Sequence, residues 1–240
     1  MATFVLVHGA WHGGWCWQSL IPALERLGHR ATAPDLPGHG GDRTPLEAVT
    51  LASYVEAVIR AVEAVGDLPV LVGHSMGGVI GAQVAEEIPD GISALVALAS
   101  APVTNGISMM GAVGAGDPAY LGHLIWSSDA RTARISPQGL REFLYQRCAP
   151  SAIELAVERL SPQPVAPFHT PIRISPERFG RVRRFYIGCE HDRVVTKEVQ
   201  QQARSAIAPA NAYVIAADHS PFFSAPEALA ACLDGIASNL

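Results

Sequence analysis

Residues 67–87, DLPVLVGHSMGGVIGAQVAEE, place a short apolar run directly before a serine and an amphipathic run directly after it. The first run is typical of a strand buried on both faces, and the second predicts a helix. A nucleophile on a sharp strand-to-helix turn has strained backbone dihedrals, so the residues two positions away must be small. Gly73 and Gly77 meet that condition. We therefore predict that Ser75 is an exposed nucleophile at the positive end of a helix dipole, rather than an idle serine in a glycine turn.

The rest of the chain repeats the alternation of apolar runs with segments of helical periodicity. Helices are predicted over residues 15–27 and 51–65, the second of which carries apolar residues at three- and four-residue steps. Alternating strands and helices predict an α/β protein with a mainly parallel, doubly wound sheet. Its buried strands are predicted in TFVLVH, RATAPDL, LPVLVG, SALVALA, RRFYIGC and AYVIAA.

The alternation stops after the fourth of these strands and resumes at the fifth. The residues between are rich in proline, and helices are predicted near residues 137–147 and 151–160. A segment of this size between two core strands predicts an insertion over one edge of the sheet. We therefore expect a core formed by residues 1–102 and 177–240, and a mostly helical cap formed by residues 103–176.

Composition excludes several functional classes. The 240 residues are 49% hydrophobic, which is enough for one sizeable core. Asp and Glu number 22 against 17 Lys and Arg, without a basic stripe, so nucleic-acid binding is not expected. The N-terminus lacks signal-peptide features and its apolar run is too short to span a bilayer, so we expect a cytoplasmic protein. The four cysteines are scattered without C-x-x-C spacing, which predicts reduced thiols.

Two late strands supply partners for the predicted nucleophile. A serine nucleophile needs a base, and the base needs a carboxylate that orients it. In a doubly wound sheet these groups lie on loops after the carboxyl ends of strands. The late strands are followed by EHD at 190–192 and DHS at 218–220. The order serine, acid, histidine predicts a triad of Ser75, Asp192 and His219.

Two other carboxylates compete for the role of the acid. Glu190 lies one residue after its apolar run, a position that favours solvent. Asp218 directly precedes His219 and is expected to shape its turn. Both remain alternatives to Asp192 at this stage.

The loop in VLVHGAWHGGW, residues 5–15, is predicted to complete an acyl-transfer site. The tetrahedral intermediate of acyl transfer needs preorganised N–H donors for its oxyanion. One donor is the amide that follows the nucleophile, here Met76, and the other comes from the loop after an early strand. Gly9 leaves space in that loop, and the Ala10 amide is the predicted second donor.

Two other chemistries are disfavoured for this loop. His8 and His12 are four residues apart, a spacing that suits a metal site on a helix, and Gly9, Gly13 and Gly14 oppose a helix here. A phosphate cradle would need G-x-G-x-x-G or a G-K-[ST] ending, and the sequence has neither. We therefore expect no metal and no other cofactor.

Six motifs together identify a family. They are VLVHGAWHGGWCW, APDLPGHG, LVGHSMGG, LYQRCAP, SPERFG and AADHS. In combination they resemble the α/β-hydrolase family of plant methylesterases, salicylate-binding esterases and hydroxynitrile lyases, with its bacterial relatives. The resemblance covers almost the whole chain and is weakest between residues 103 and 135. It implies an α/β-hydrolase fold with nucleophile Ser75, acid Asp192, base His219, and oxyanion amides at Ala10 and Met76.

Two departures from the family pattern separate its activities. The lyase members that the chain resembles carry threonine in place of Gly9 and lysine in place of Ser220. Those groups hold the cyanohydrin oxygen and the leaving cyanide. Without a cation to stabilise cyanide, cyanogenesis should be poor, and the esterase interpretation gains.

The sequence gives fewer specific signals for the substrate pocket than for the triad. Trp126 and Phe143 in the predicted cap are candidate substrate-binding residues, as are Gly9 and Phe222 in the core. The alternative is that these aromatic side chains only hold the cap and the core together, since pockets and cores share the same composition.

The sequence therefore predicts a serine carboxylesterase for small, fairly apolar esters, with a methylesterase as the narrower expectation. On the same triad, the alternatives are cleavage of a thioester, a lactone or a carbon–carbon bond in natural-product metabolism, and a lyase-like activity. A small-ligand receptor that retains the triad is the alternative from another class. We expect a small-molecule ester as partner, neither nucleic acid nor membrane, and leave a homodimer open.

Overall fold

A six-stranded parallel sheet forms the centre of the computed structural model, which describes residues 1–113 and 118–240. The six strands are β1 (Thr3–Val7), β2 (Arg30–Thr32), β3 (Val70–His74), β4 (Ala94–Leu98), β8 (Arg184–Cys189) and β9 (Ala212–Ile215). The strand order is β2-β1-β3-β4-β8-β9, and every neighbouring pair is parallel. The first strand thus lies inside the sheet, next to an edge strand, and the chain builds outward from it in both directions, which confirms the predicted doubly wound sheet.

Helices cover both faces of this sheet. The covering helices are α1 (Leu20–Arg26), α2 (Leu51–Ala64), α3 (Met76–Glu87), α9 (Lys197–Ser205), α10 (Pro221–Ser224) and α11 (Pro226–Ala237). Residues alternate along each strand, so Val5 and Leu71 pack with α2 and α3, whereas Phe4 and Val72 pack on the other face with α1 and α11. Short 3-10 turns occupy Gly14–Ser19, Leu46–Ala48, Phe179–Arg181 and Pro209–Asn211.

All six predicted core strands and both predicted core helices are confirmed, with ends that shift by a few residues. The segment predicted as one helix over 15–27 consists of a 3-10 turn that is followed directly by α1. The predicted helix over 51–65 is α2, which begins after Thr50; the Thr50 and Ser53 side chains and backbones form a reciprocal capping box.

The chain between β4 and β8, called here the inserted segment, contains both helices and strands. Its helices are α4 (Met109–Val113), α5 (Pro118–Leu121), α6 (Pro137–Gly139) with a π-helical continuation over Leu140–Leu144, α7 (Pro150–Arg159) and α8 (Ala166–His169). Its strands β5 (Leu124–Trp126), β6 (Thr132–Ile135) and β7 (Gln163–Pro164) form an antiparallel sheet.

This small sheet was not predicted from the sequence. Its strands have two to four residues, too short for an alternating pattern to emerge. The two predicted helices are present as α6 with its continuation and as α7. Residues 114–117, within the predicted cap, lie outside the described residues, and the cap boundaries remain a prediction. Within residues 1–113 and 118–240, no helix has the length and apolar character needed to cross a bilayer.

Candidate active site

Ser75 lies on the turn between β3 and α3, half-buried, with φ of 52° and ψ of −117°. This left-handed conformation is costly for a residue with a side chain, so the surroundings must hold it. The backbone N–H of Ser75 donates to the Leu98 carbonyl at 2.9 Å. The Ser75 carbonyl accepts from the Ser100 hydroxyl at 2.8 Å and from the Gly78 N–H at 3.0 Å. The strained turn is therefore tied to β4 on one side and to α3 on the other.

The two predicted glycines of the turn have no room for a side chain. A Cβ at Gly73 would collide with the backbone of Gly77 and Gly78, and one at Gly77 would collide with the carbonyl oxygens of Val7 and His8. Backbone atoms in a sheet and a helix cannot rotate away from such a contact. The close approach of β3, α3 and β1 at this point therefore requires glycine.

We expect Gly73→Ala to lower the free energy of unfolding by about 3 kcal/mol, the upper end for overpacking, because the obstructing atoms are backbone. The matched control is Gly235→Ala in α11, where an added Cβ meets nothing within 4 Å. That control should gain about 0.5–1 kcal/mol, since alanine favours a helix over glycine. Urea unfolding monitored by circular dichroism measures both values. Equal stability of the two variants would contradict the proposed crowding.

His219 and Asp192 form a buried pair on adjacent loops. The Nδ1 of His219 donates to Oδ2 of Asp192 at 2.8 Å, and both side chains are almost fully buried. The other carboxylate oxygen of Asp192 accepts the N–H groups of Val194 at 2.8 Å and Val195 at 2.9 Å. With Nδ1 occupied as a donor, Nε2 is the ring nitrogen of His219 that is left to accept a proton.

The rival carboxylates lie elsewhere. Glu190 is exposed. Asp218 is fully buried and accepts from the N–H groups of Arg147 at 2.8 Å and Ser220 at 3.0 Å, and from the Ser224 hydroxyl at 2.7 Å. Its carboxylate therefore shapes the turn that carries His219. Asp192 is the carboxylate that contacts the His219 ring.

A second histidine forms a hydrogen bond to the backbone of His219. His74, the residue before Ser75, donates through Nε2 to the carbonyl oxygen of His219 at 2.7 Å. Burial and the neighbouring rings of His219 and His12 keep the pKa of His74 well below its usual value, so its ring is neutral. A neutral ring can donate to this carbonyl without adding a charge beside His219.

His8 and His12 shape the loop after β1. Each uses Nδ1–H to hold a loop carbonyl: His8 holds that of Gly9 at 2.8 Å, and His12 holds that of Ala10 at 2.7 Å. Each also uses Nε2 as an acceptor, from the Leu36 N–H at 3.1 Å and from the Tyr145 hydroxyl at 2.7 Å. Burial lowers the pKa of His8 well below its usual value and that of His12 to about 3, so both rings are neutral.

These contacts occupy both nitrogens of each ring with protein partners. A metal ion would have to displace one of them. Within the part of the chain that the structure describes, no group of three or more His, Cys, Asp or Glu side chains is placed to hold a metal ion.

Ser75, Ala10 and Met76 line one cavity, together with side chains from the inserted segment. Its polar side chains among the described residues are Ser75, Tyr120, Gln163 and His169, and it includes no Asp, Glu, Lys or Arg. The remaining lining is mostly apolar: Ala10, Trp11, Met76, Val79, Ala101, Met109, Met110, Leu121, Leu124, Trp126, Ala133, Val165, Phe168, Val194 and Val195.

The four predicted substrate-binding residues lie in different places. Trp126 lines the cavity and is 47% exposed, at its rim. Gly9 lies beside the nucleophile, where an added Cβ would meet Nδ1 of His74 at 2.7 Å and Cβ of Ser75 at 3.1 Å. Phe143 and Phe222 are buried outside the described lining. Phe143 packs under the Arg193 guanidinium at 4.5 Å.

Phe222 packs edge-on against the rings of Trp17 and His74, with centroids 5.2 and 5.0 Å away. It therefore fills the core beneath the His74 ring. This packing matches the alternative considered from the sequence, in which an aromatic side chain holds neighbouring elements together.

Sequence reasoning did not single out Trp11, His74, Tyr145 or Gln163. His74 lies between the motif glycine and the serine, so its position could have drawn attention, but no local pattern indicates its contact with a residue 145 positions away. Gln163 lies between two prolines in a short strand, and a buried glutamine has no sequence signature.

Comparison with known proteins gives the relationship of the whole chain. The model of the alpha/beta hydrolase family matches residues 4–232. The chain is 34% identical to norfluorocurarine synthase 1 of a Strychnos species, with 99% of this chain and 96% of that protein covered. It is 33% identical to salicylic acid-binding protein 2 of Nicotiana tabacum, with 98% and 96% covered. A methylesterase from Arabidopsis superposes with a TM-score of 0.87 at 26% identity, covering all of both chains.

The family match spans most of the chain, and the relatives cover nearly their full lengths. This confirms the resemblance and the fold that the six motifs indicated. The chain belongs to the alpha/beta hydrolase family.

Proposed function

We propose that the protein is a serine carboxylesterase that cleaves small, neutral, apolar esters through an acyl-enzyme. The observation that carries the proposal is the apolar cavity that contains Ser75 beside two backbone amides and lies next to a buried His–Asp pair. The names of the relatives support the reaction class, since a structural neighbour is a methylesterase.

Each residue of the site has a role in this reaction. Ser75 attacks the ester carbonyl while Nε2 of His219 takes its proton, and the amides of Ala10 and Met76 hold the oxyanion. His219 then gives the proton to the leaving alcohol, and a water molecule, activated in the same way, releases the acid. Asp192 keeps the imidazole in the tautomer with Nδ1–H and stabilises the imidazolium that forms.

The position of Ser75 at the N-terminus of α3 adds to this preorganisation. The twelve residues of α3 direct their N–H groups toward the turn, so the partial positive charge of the helix end favours negative charge on the substrate oxygen. The Met76 amide belongs to this helix end. The site therefore offers donors whose orientation is fixed before the substrate binds.

We extend the proposal to the inserted segment, in which residues 103–176 act as a cap over the substrate. Support comes from the cavity lining, since Met109, Trp126, Val165 and Phe168 all belong to this segment. Sequence changes in it would then alter substrate choice without altering the triad.

A panel of p-nitrophenyl and methyl esters with varied acyl chains tests the proposed reaction. We expect multiple turnovers that a fluorophosphonate abolishes in a one-to-one reaction, with the adduct on Ser75 by mass spectrometry. The chain-length profile measures the pocket. A folded protein that neither turns over esters nor reacts with the phosphonate would contradict the proposal.

The uncharged lining predicts discrimination against anionic esters. At pH 8, kcat/KM for the p-nitrophenyl monoester of succinic acid should be at least about 100-fold below that for p-nitrophenyl pentanoate, because its free carboxylate would be buried without a partner. The control is the methyl p-nitrophenyl diester of succinic acid, which restores neutrality at similar size and should recover most of the rate. Equal rates for the three esters would contradict a pocket that excludes charge.

A receptor that retains the triad is the second candidate, because one relative is a salicylic acid-binding protein. The lining does not favour it for an acidic ligand, since the described lining has no Lys or Arg that would retain a carboxylate product. Sustained turnover supports the esterase. One turnover followed by retention of the acid supports the receptor.

A further inference from the structure

We infer that Gln163 is a positioning residue through which the inserted segment holds the oxyanion loop in its working conformation. The inference rests on the proposed function, in which the Ala10 amide stabilises the oxyanion. The observation behind it is a set of hydrogen bonds that all converge on Trp11, the residue directly after Ala10.

Trp11 is held at three points by the inserted segment. Its backbone N–H donates to Oε1 of Gln163 at 3.2 Å, its carbonyl accepts the Ser161 N–H at 2.8 Å, and its indole N–H donates to the Ala133 carbonyl at 2.9 Å. Trp11 has a φ of 64°, a left-handed conformation that residues with side chains keep only when contacts hold them in it. The contacts that hold it come from β6, β7 and the chain just before β7.

The peptide between Ala10 and Trp11 is thereby fixed at both of its polar atoms. Its carbonyl oxygen accepts from Nδ1 of His12 at 2.7 Å, and its N–H donates to Gln163. A peptide plane with both polar atoms fixed cannot rotate about its Cα–C and N–Cα bonds. This plane is joined through the Ala10 Cα to the plane that carries the Ala10 N–H, whose carbonyl His8 holds. Fixing the Ala10–Trp11 plane therefore restricts the directions in which that N–H can point.

Gln163 has no hydrogen-bonding capacity left for a substrate. Its Oε1 accepts from Trp11 and from Nε2 of His39 at 3.0 Å, and its amide donates to the Tyr54 hydroxyl at 3.1 Å and to the Pro164 carbonyl at 2.9 Å. A glutamine side chain offers two acceptor and two donor positions, and all four are used. Although Gln163 borders the cavity, its role is therefore to hold the loop.

The partners of Gln163 are themselves rigid. His39 and Tyr54 are fully buried, and Gln163 is only 2% exposed. Burial lowers the pKa of His39, so its ring is neutral, and burial raises the pKa of the Tyr54 hydroxyl, so it stays protonated. The hydrogen bonds around Gln163 thus persist across the pH range in which a serine esterase works, and they connect α2, the loop after β2 and β7 to the oxyanion loop.

The test replaces Gln163 with methionine, which keeps the length of the side chain and removes its hydrogen bonds. The matched control is Gln83→Met on the outer side of α3, because Gln83 makes three hydrogen bonds, with Glu87 and the backbone of Arg173, against four for Gln163. Both variants are compared with the unchanged protein for kcat, KM, melting temperature and affinity for a trifluoromethyl ketone. The Ser75 hydroxyl adds to the carbonyl of this ketone, its proton passes to His219, and the oxyanion of the resulting hemiketal occupies the donor site.

For Gln163→Met we expect kcat to fall about 10- to 100-fold with KM within about twofold, since the loss falls on the transition state. Affinity for the trifluoromethyl ketone should fall by a similar factor, whereas Gln83→Met keeps both values. Hydrogen exchange at the Trp11 amide should be faster in Gln163→Met than in Gln83→Met, and this measurement needs no catalysis. If Gln163→Met does not fold, Trp11→Phe, which loses the indole bond to Ala133 together with part of the ring that packs on Tyr120, should lower kcat in the same direction.

The inference is overturned if Gln163→Met and Gln83→Met lose kcat and ketone affinity equally, in proportion to their melting temperatures. That result would assign Gln163 a purely structural role while the unchanged protein still hydrolyses esters. A different failure, in which the unchanged protein neither hydrolyses esters nor binds the ketone, contradicts the proposed function and with it the oxyanion hole that Gln163 would serve.

Discussion

Ser75→Ala is expected to lower kcat for ester hydrolysis by about 10⁴-fold or more while the protein stays folded. The hydroxyl is the group that forms the acyl bond, so its removal leaves only the binding and oxyanion contributions. The hydrogen bonds that hold this turn use the backbone N–H and carbonyl of Ser75, which alanine retains. Serine and alanine also carry the same Cβ into the strained conformation at φ of 52°.

The measurement is steady-state hydrolysis of the best p-nitrophenyl ester, together with the melting temperature and fluorophosphonate labelling. Ser205→Ala at the end of α9 is the matched control, because Ser205 is exposed and bonds only within its own helix. We expect this control to keep full activity and labelling. A Ser75→Ala protein that turns over the ester at the original rate would exclude the acyl-enzyme mechanism.

The sequence was sufficient to predict the core because its signals are local. A strand buried on both faces is recognisable from its own run of valine, isoleucine and leucine, and the turn at Ser75 from the glycines beside it. The pair of Asp192 and His219 was predictable only from the order of motifs along the chain, since they are 27 residues apart. Its 2.8 Å hydrogen bond required the structure.

What the sequence could not predict depends on distant contacts. The roles of His8 and His12 follow from the carbonyls and hydroxyls that their rings meet, and Tyr145 lies 133 positions after His12. The sheet in the inserted segment has strands too short to produce a pattern. The contacts of Gln163 with Trp11 and Tyr54 span more than 100 positions, so no window of sequence contains both partners.

Acid is expected to destabilise this protein from about pH 6.5 downward, above the range in which its carboxylates titrate. Four buried histidines have pKa values below their usual range: His8, His12, His39 and His74. The largest cause for each is burial, which disfavours the charged ring. In the unfolded chain the same side chains titrate at about pH 6.5. Below that pH the unfolded state therefore binds more protons than the folded state.

The sign of the effect follows from this difference in bound protons. Stability rises with pH wherever the unfolded state binds more protons, so these histidines leave stability unchanged above about pH 7.5 and reduce it as pH falls through 6.5. For His12 the loss continues down to about pH 3, its folded value. At pH 5 the cost for His12 is about 2 kcal/mol, because its folded pKa lies below that pH. His8, His39 and His74 lower stability in the same direction.

Urea midpoints measured at pH 8, 7, 6 and 5 test this expectation. The slope of the free energy of unfolding against pH gives the number of protons that the protein takes up when it unfolds. His39→Gln is the informative variant, because the glutamine amide can donate to Gln163 in place of Nε2 but cannot titrate. Below pH 6.5 its slope should be shallower than that of the unchanged protein, by at most one proton, or about 1.4 kcal/mol per pH unit. A stability that stays constant between pH 7.5 and 5 would mean that the buried rings bind protons while the protein is folded. His8, His12 and His74 would then not be the neutral donors described above. Each protonated ring would carry a second N–H, at the nitrogen that now accepts a hydrogen bond in His8 and His12 and at the nitrogen that now makes no hydrogen bond in His74.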